Sequence, residues 1–293
     1  MASQQGPRQA TRRTFGFPPR LLAWMSGAVV FPALLFGTQP TPQQIIKLSI
    51  ASTQADWKAT PQFSYVERDD DVKGGAKVSK TYQVSMIDGS PYSRLIAVNG
   101  EPLTPAPEAQ ERQKLQKEIA RRASESPRAR AARLAAYHKD RSRMFALVDE
   151  MGAAFDFKLL REQNLDGHAV YVFSASPRPG YQPRSWETRI LKGMKGTLWV
   201  DRNSYQWVKV EAVAIKPVTL GWFIAKVLPG TRFLLEQTPV SPGLWQPEHF
   251  SLEAHARILL WQKNIVHSET YSDYQRVAGS PISGRSRRSS KAM

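Results

Sequence analysis

The sequence predicts an α+β protein in which one meandering antiparallel sheet carries a charged helical insertion. Apolar and polar residues alternate in strand-length runs, as where Tyr82, Val84 and Met86 share one face. Short polar turns such as Asp-Gly at 88–89 separate these runs at hairpin spacing. The stretch 105–152 is instead helix-forming and dense in charge. Strands joined by short turns rather than by crossover helices favour an antiparallel sheet.

The part of the body before the insertion predicts a linker, a possible first helix and a hairpin. Residues 39–61 contain the linker and a possible helix from Ile45 to Trp57. A strand begins at Phe63, and the acidic triplet 69–71, followed by two glycines, predicts a polar turn. The predicted hairpin that follows has its strands at 80–87 and 92–99.

Three helical segments are predicted within the insertion: 108–123, 128–139 and 140–151. Ser126 followed by proline predicts an N-cap and a first helical residue for the second segment. Gly152 is a plausible C-terminal stop for the third. The first two segments carry few large apolar residues, so we expect them to be solvated or mobile. The third has an apolar face and should dock on the body.

Strands return at Phe155. Together with the strands before the insertion, they form a body domain that we place at 62–278. A short helix is expected at 186–192. The predicted strands are 155–159, 168–176, 197–201, 207–216, 231–237, 244–257 and 258–274. Residues 279–293 form a Ser/Gly/Arg tail that we expect to be a disordered basic extension.

The net charge of the chain is concentrated in a few segments. In 293 residues, 41 Lys and Arg stand against 25 Asp and Glu, a formal charge of +16. Residues 1–20 contribute +4, 284–293 another +4 and 108–143 a further +6, which leaves +2 for the rest. A nearly neutral body does not predict a nucleic-acid partner. The absence of cysteine excludes disulfides, thiolate metal sites and cysteine nucleophiles.

Residues 1–38 predict an export signal or an N-terminal anchor. A basic start precedes an uncharged, mostly apolar run at 21–36, which is the layout of a secretory signal. Arg12 and Arg13 resemble the pair of a twin-arginine export motif. An uncleaved anchor in the inner membrane through 21–36 and a buried core helix are the alternatives. In each export case, the body works in the periplasm or cell envelope.

Several motifs of the body resemble, as a set, the LolA/LolB-like superfamily of outer-membrane lipoprotein sorting, particularly its uncharacterised secreted members of acidobacterial type. The motifs are 88–92 (Asp-Gly-Ser-Pro-Tyr), 98–103 (Val-Asn-Gly-Glu-Pro-Leu), 165–168 (Leu-Asp-Gly-His), 196–201 (Gly-Thr-Leu-Trp-Val-Asp) and 244–247 (Leu-Trp-Gln-Pro). The resemblance spans roughly residues 60–276. It implies a curved antiparallel half-barrel closed by helices, with an apolar cavity for acyl chains. The helical insertion, 105–152, departs from the compact carriers of the superfamily.

The sequence carries no constellation typical of an enzyme or of a bound cofactor. It contains no Gly-rich phosphate loop, no Gly-x-Ser-x-Gly elbow and no His-Glu-x-x-His motif. His249, Ser251, Glu253 and His255 share one strand face, but six strand residues separate the imidazoles by about 20 Å. We therefore expect no catalytic residue, no cofactor and no metal site.

An apolar stretch at 218–228 is the most suggestive binding feature, and we expect it to form a short helix or lip. It would either plug the core or line a cavity mouth that touches acyl chains or a membrane surface. The candidate lip residues are Trp222, Phe223, Ile224, Val227 and Leu228. Four aromatic residues are candidates for core or cavity lining: Trp199, Trp207, Tyr171 and Phe173.

The basic helices at 108–143 form either a plain solvated face or a contact with anionic lipid headgroups. The candidate contact residues are Arg121, Arg122, Arg128, Arg130 and Arg133. The sequence thus predicts an exported, non-enzymatic protein that binds a lipid or a lipoprotein acyl chain. The alternative is a membrane-anchored periplasmic sensor or interaction module without lipid transfer.

Overall fold

The structure, a computed structural model, describes residues 39–73, 75–220, 225–258 and 261–277. The chain divides into two compact units, Met1–Gln39 and Pro40–Met293, and only the second is described below. The export segment 1–38, with Arg12 and Arg13, and the tail 279–293 lie outside the described residues. The helices of the described part are α1 (Pro42–Ala59), α2 (Pro105–Ala123) and α3 (Pro127–Ala154), with 3₁₀ turns at Thr60–Gln62 and Glu187–Gly193.

Thirteen strands of the described residues form one antiparallel sheet, which is curved and unclosed. Their order is β4-β3-β2-β1-β13-β12-β11-β8-β7-β6-β5, and β9 and β10 pair as a hairpin beside β12. The predicted α+β half-barrel class is confirmed. The strands are β1 (Phe63–Lys73), β2 (Ala76–Ile87), β3 (Ser90–Val98), β4 (Glu101–Pro102), β5 (Phe155–Leu165), β6 (His168–Pro177), β7 (Met194–Asp201), β8 (Trp207–Ala214), β9 (Val218–Leu220), β10 (Ala225–Val227), β11 (Arg232–Ser241), β12 (Leu244–Ile258) and β13 (Trp261–Arg276).

Two-residue turns with left-handed backbone join several of these strands. Asp88 and Gly89 have φ of 45° and 86°, and Asp166 and Gly167 have φ of 50° and 86°. Both residues of a type I′ turn need positive φ, which Asp and Gly tolerate best. The Asp-Gly pairs in the sequence therefore fix the register of two hairpins, as predicted.

The predicted polar turn is wrong at 69–71, because these residues lie inside β1, but it is confirmed at its glycine end, since β1 ends at Lys73 and β2 begins at Ala76. Asp69 pairs with Glu269 and Asp71 with His267 across to β13. On its other side β1 pairs with β2 as far as Lys73 and Ala76. An acidic triplet is unusual in a strand, but cross-strand partners supplied by distant sequence hold it there.

The predicted break between two helices at 139–140 and the stop at Gly152 are also wrong. One continuous helix, α3, spans Pro127–Ala154. Its predicted start is confirmed, since Ser126 Oγ accepts a hydrogen bond of 3.2 Å from the Ala129 N–H. Neither Lys139 nor Asp140 is a helix breaker, so nothing local interrupts the backbone ladder.

The stretch 218–228 does not form the expected short helix in its described part. Val218–Leu220 and Ala225–Val227 are strands that pair with each other, and β10 also pairs with the end of β12. Val227 and Leu228 are half-buried. Trp222, Phe223 and Ile224, the other candidate lip residues, lie outside the described residues.

Helix α1 covers the inner face of the sheet, by which we mean the face that is turned toward the helices. Thr41 caps it through a capping box with Gln44, and a proline occupies its first turn. Ile45 and Ile46, 2% and 6% exposed, pack in one cluster with strand side chains. The buried members from the strands are Tyr171, Phe173, Leu198, Val200, Trp207 and Val210.

Buried hydrogen bonds fix α1 to the strands beneath it. Trp207 Nε1 donates to Ser49 Oγ at 3.2 Å. Asp56 Oδ1 accepts from Gln206 Nε2 at 3.2 Å and from the Trp245 N–H at 3.3 Å. Gln246 Nε2 donates to the Asp56 carbonyl at 3.2 Å. A helix held by its polar side as well as its apolar side has one register on the sheet.

Burial raises the pKa of Asp56 to about 7, although the hydrogen bonds from Trp245 and Gln206 oppose the rise. Asp56 is only 3% exposed. The folded state therefore binds a proton that the unfolded chain releases at lower pH. Its contribution to stability is complete below the ordinary pKa and is lost as pH rises toward 7.

Asp56→Asn should flatten the dependence of stability on pH. Since each pKa unit is worth about 1.4 kcal/mol, Asp56 lowers the unfolding free energy by roughly 2–3 kcal/mol between pH 5 and pH 8. The amide carries no charge, so the variant should lose that part of the slope. Urea unfolding at the two pH values measures it. Asp166→Asn, in an exposed turn, is the matched control; equal slopes for wild type and Asp56→Asn would contradict the assignment.

Candidate ligand-binding site

Three of the four aromatic residues predicted for core or cavity lie together beneath α1. Tyr171, Phe173 and Trp207 are 6%, 0% and 3% exposed. They pack against Ile45 and Ile46, so α1 occupies the space over this part of the inner face. These side chains are therefore core residues in the described conformation.

The fourth aromatic residue, Trp199, lies on the opposite, outer face of the sheet. It belongs to a separate buried cluster with Val172, Val208 and Trp245. The Lys209 ammonium lies 5.7 Å from the centroid of its ring. Trp199 and the three inner aromatics therefore cannot line one cavity.

An apolar cleft of about 340 Å³ opens where α1 meets β5 and the end of α3. Ile46, Ile50 and Phe157 supply its apolar wall, and Gly152 contributes bare backbone. A side chain at 152 would meet Ile50, because an added Cβ would lie 3.2 Å from Ile50 Cδ1. The glycine, which the sequence suggested as a helix stop, instead lets Ile50 of α1 lie close to the backbone of α3.

Charged side chains border this cleft. Lys47 from α1, Asp156 and Arg178 all line it and are exposed. Arg178 Nε lies 2.8 Å from Asp156 Oδ1. With Lys47 unpaired among the described residues, the border carries a net positive charge. A narrow apolar cleft with a cationic border suits the chemistry of an acyl chain with an anionic head.

A second feature of the inner face, an acid–tyrosine cluster on β1 and β13, was missed in the sequence. One carboxylate oxygen each from Glu67, Asp69 and Glu269 lies within 4.8 Å of the others. Burial, followed by the neighbouring Asp69, raises the pKa of Glu67 to about 8. Glu67 is therefore protonated near neutral pH and shares its proton with Asp69.

His267 and Tyr271 complete the acid–tyrosine cluster. The two ring nitrogens of His267 lie 2.8 Å from Asp71 Oδ1 and 2.8 Å from Glu269 Oε1. Burial opposes its charge, but these two hydrogen bonds prevail and raise the pKa of His267. The Tyr271 hydroxyl donates to Glu269 Oε2.

The three clustered carboxylates are the described acidic residues whose spacing suits a metal ion. Their surroundings offset part of this charge, since Glu67 and Asp69 share a proton and His267 contacts Asp71 and Glu269. The remaining acidic charge is not paired by these contacts. The sequence does contain a signal for this cluster, which is alternation. Residues 67, 69 and 71 share one face of β1, and residues 267, 269 and 271 lie opposite them on the same face of β13.

The five candidate headgroup arginines fall into two groups. Arg122 is 7% exposed and points into the turn between β2 and β3. It donates to the carbonyls of Ile87 at 2.7 Å, Ser90 at 2.8 Å and Pro91 at 3.2 Å, and its Nε lies 2.5 Å from Glu118 Oε1. Helix α2 is therefore docked by its own arginine, while most of its other residues are exposed, as expected.

Arg133 and Arg121 are also engaged within the protein. Arg133 Nη1 donates to Ser90 Oγ at 2.6 Å, and its Nη2 pairs with Glu125 at 2.8 Å. Arg121 pairs with Glu118 at 2.6 Å and with Glu125 at 2.8 Å. Arg128 and Arg130 are exposed and form no ion pair within the described residues, so they remain available to an external anion.

Comparisons with known proteins yield structural similarity only, since no protein-family model and no curated protein matches the sequence. A LolA superfamily protein from Nitrosomonas europaea shares 13% identity with a TM-score of 0.31, covering 81% of this chain and 94% of its own. A putative outer membrane lipoprotein-sorting protein domain from Vibrio parahaemolyticus shares 12% with a TM-score of 0.34, covering 81% and 95%. A DUF1329 family protein from Desulfovibrio piger shares 13% with a TM-score of 0.32, covering 80% and 92%.

One of these matched structures is described as a LolA superfamily protein, and this is the superfamily that the sequence motifs resemble. At such identities and TM-scores the likeness carries no conclusion about function. Separately, no helix in the described part of the chain is long and apolar enough to cross a membrane.

Arg122→Met should undock α2 from the β2–β3 turn. It leaves three carbonyls without their donor, and removing one member of a buried charge network costs roughly 2–4 kcal/mol. Chemical unfolding measures the loss, and limited proteolysis should show earlier cleavage within α2. Arg121→Met is the matched control, because it shares Glu118 but is exposed and should cost under about 1 kcal/mol. Similar losses for both variants would contradict the docking role.

Proposed function

We propose that this protein is an exported binding protein without catalytic activity that holds an acyl chain of a lipid or lipoprotein. The apolar cleft between α1 and β5 is the observation on which the proposal rests. The role that we propose for this binding is the sorting of lipoproteins toward the outer membrane.

Size and chemistry of the cleft support this reading. Its volume of about 340 Å³ is at the small end of the range for small-molecule sites, and it suits one chain rather than a whole lipid. Each methylene that leaves water contributes about 0.8 kcal/mol. Lys47 and Arg178 stand where an anionic head would follow the chain.

A packed interior favours a second candidate function, an interaction or sensor module that is anchored in the membrane and transfers no lipid. Phe173 and Leu198 are 0% and 1% exposed beneath α1, which leaves no space for cargo in that part of the inner face. On the helices, Met144 and Ile119 are 55% and 40% exposed. They offer apolar contacts to a partner protein.

Ile50→Gln should weaken acyl binding by about tenfold, because it places an unpaired amide in the apolar wall of the cleft. Fluorescence titration with a fluorescent fatty acid measures the affinity, and organic extraction of the purified protein tests for bound lipid. Leu48→Gln is the control, since Leu48 lies on the same helix but is 42% exposed and does not line the cleft. No extracted lipid and no titration in wild type would overturn the carrier proposal and favour the interaction module.

Mass spectrometry of the protein from its native membrane or periplasmic fraction tests export. A free carrier should begin after the apolar run at 21–36, because signal peptidase removes that segment. A mass that includes residues near 1 would contradict a free periplasmic carrier and support the anchored module.

A further inference from the structure

We propose that one end of the sheet docks on an anionic membrane surface. This end, the distal rim, is formed by the last residues of β12, the first residues of β13 and the neighbouring β10. Its defining side chains are Trp261, Ile265, Lys226, Arg257 and Lys263. The proposal is independent of acyl binding in the cleft at α1.

The distal rim projects beyond the body of the sheet. The pairing of β1 with β13 ends at Asp71 and His267, so 261–266 extend past the last described β1 partner. On the other side, β10 pairs with β12 from Val227 and Ala256 to Ala225 and Ile258. The rim therefore belongs to a short four-stranded extension, in the order β13-β12-β10-β9, with β13 at one edge.

Large apolar side chains are exposed on this extension. Trp261 is 75% exposed, the highest value among the exposed large apolar residues of the described chain. Ile265 and Val266 are 41% and 45% exposed. Trp favours the membrane–water interface, where its ring meets acyl chains and its N–H meets headgroups. A group of exposed apolar side chains of this kind is typical of a surface that binds a partner or a membrane.

Three cations lie near Trp261 and Ile265, and one acid, Glu253, is opposite Val266 at the inner end of the extension. Lys226 is directly opposite Arg257 in the β10–β12 pairing, and Lys263 is opposite Ala256. Like charges opposite each other destabilise a sheet, and within the described residues none of these three cations forms an ion pair. The segments 212–235 and 254–268 contain no Asp or Glu. An anionic surface would relieve this repulsion.

A basic cleft continues the rim on the side of β9. Arg189, Lys192 and Lys216 line a space of about 540 Å³ together with the first residues of β9. No acidic residue lines it. Since β9 pairs with β10, the cleft and Lys226 lie on neighbouring elements. It has the size and charge to receive a lipid phosphate at the β9 side of the extension, while Trp261 lies at the β13 side.

The same features disfavour a protein strand as the occupant of the β13 edge. Lysine at an edge strand discourages strand addition. Lys263 lies in the stretch of β13 that pairs with β12 but has no described partner in β1. Lys226 and Arg257 lie on one face of the extension and Lys263 on the other, by strand alternation. Cations on both faces around one tryptophan match a planar anionic surface rather than a single added strand.

Co-sedimentation of the full chain with vesicles tests the proposal. Vesicles of phosphatidylcholine with phosphatidylglycerol should bind wild type, and vesicles of phosphatidylcholine alone should bind it at least about tenfold more weakly. Trp261→Ser should reduce binding to the anionic vesicles by about tenfold, and Trp261→Phe by less. The triple variant Lys226→Glu, Arg257→Glu, Lys263→Glu should reduce it by at least about tenfold.

Matched controls separate the distal rim from other basic or apolar sites. Leu160→Ser removes an apolar side chain that is 48% exposed on β5. Lys117→Glu, Arg128→Glu, Arg130→Glu reverses three exposed cations of α2 and α3. Both controls should retain wild-type binding, and thermal unfolding should show that all variants are folded. Trp261→Ser should also keep its affinity for the fluorescent fatty acid.

Three outcomes would overturn docking through the distal rim. They are absence of wild-type binding to anionic vesicles, equal binding by the rim variants and wild type, and loss of binding confined to the α2–α3 triple variant. The last result would assign membrane contact to the helical insertion instead. None of them bears on acyl binding at α1, whose failure appears only in the extraction and the fatty-acid titration.

Discussion

The attachment of α1 to the inner face is the constraint on which the rest of the fold depends. An unclosed sheet has an apolar face that its own strands cannot cover, and here Ile45 and Ile46 cover it. The hydrogen bonds to Ser49 and Asp56 fix where the helix lies. The position of α1 in turn determines which space is filled and which remains, so the cleft beside β5 is a consequence of this one contact.

The two halves of the inner face differ in the kind of side chain that they present. Under α1 the strands present aromatic and aliphatic side chains that exclude water. On β1 and β13 they present carboxylates, a histidine and tyrosines, which are linked to one another by hydrogen bonds. A curved sheet that is apolar on one half and polar on the other can direct an apolar ligand to only one half.

Local signals in the sequence were enough to predict the hairpins, because an Asp-Gly pair specifies its own turn, and enough to predict the start of α3 at Ser126. They were not enough where residues far away in the sequence determine the local structure. Asp69 stays in a strand through Glu269 and β2, and Trp207 faces inward while Trp199 faces outward because a bulge shifts the β7–β8 register between Trp199 and Val200. The cleft could not be predicted in this way. It depends on how α1 packs on the sheet, and the alternation of residues along the strands does not encode that packing.

The protons held by buried groups make unfolding a proton-releasing reaction near neutral pH. Asp56 and Glu67 have pKa values raised to about 7 and about 8, and the pKa of His267 is raised as well. All three return toward ordinary values when the chain unfolds, and each then gives up protons to the solvent. The calorimetric enthalpy of unfolding therefore includes the heat of protonating the buffer, and it should differ between phosphate and an amine buffer at one pH.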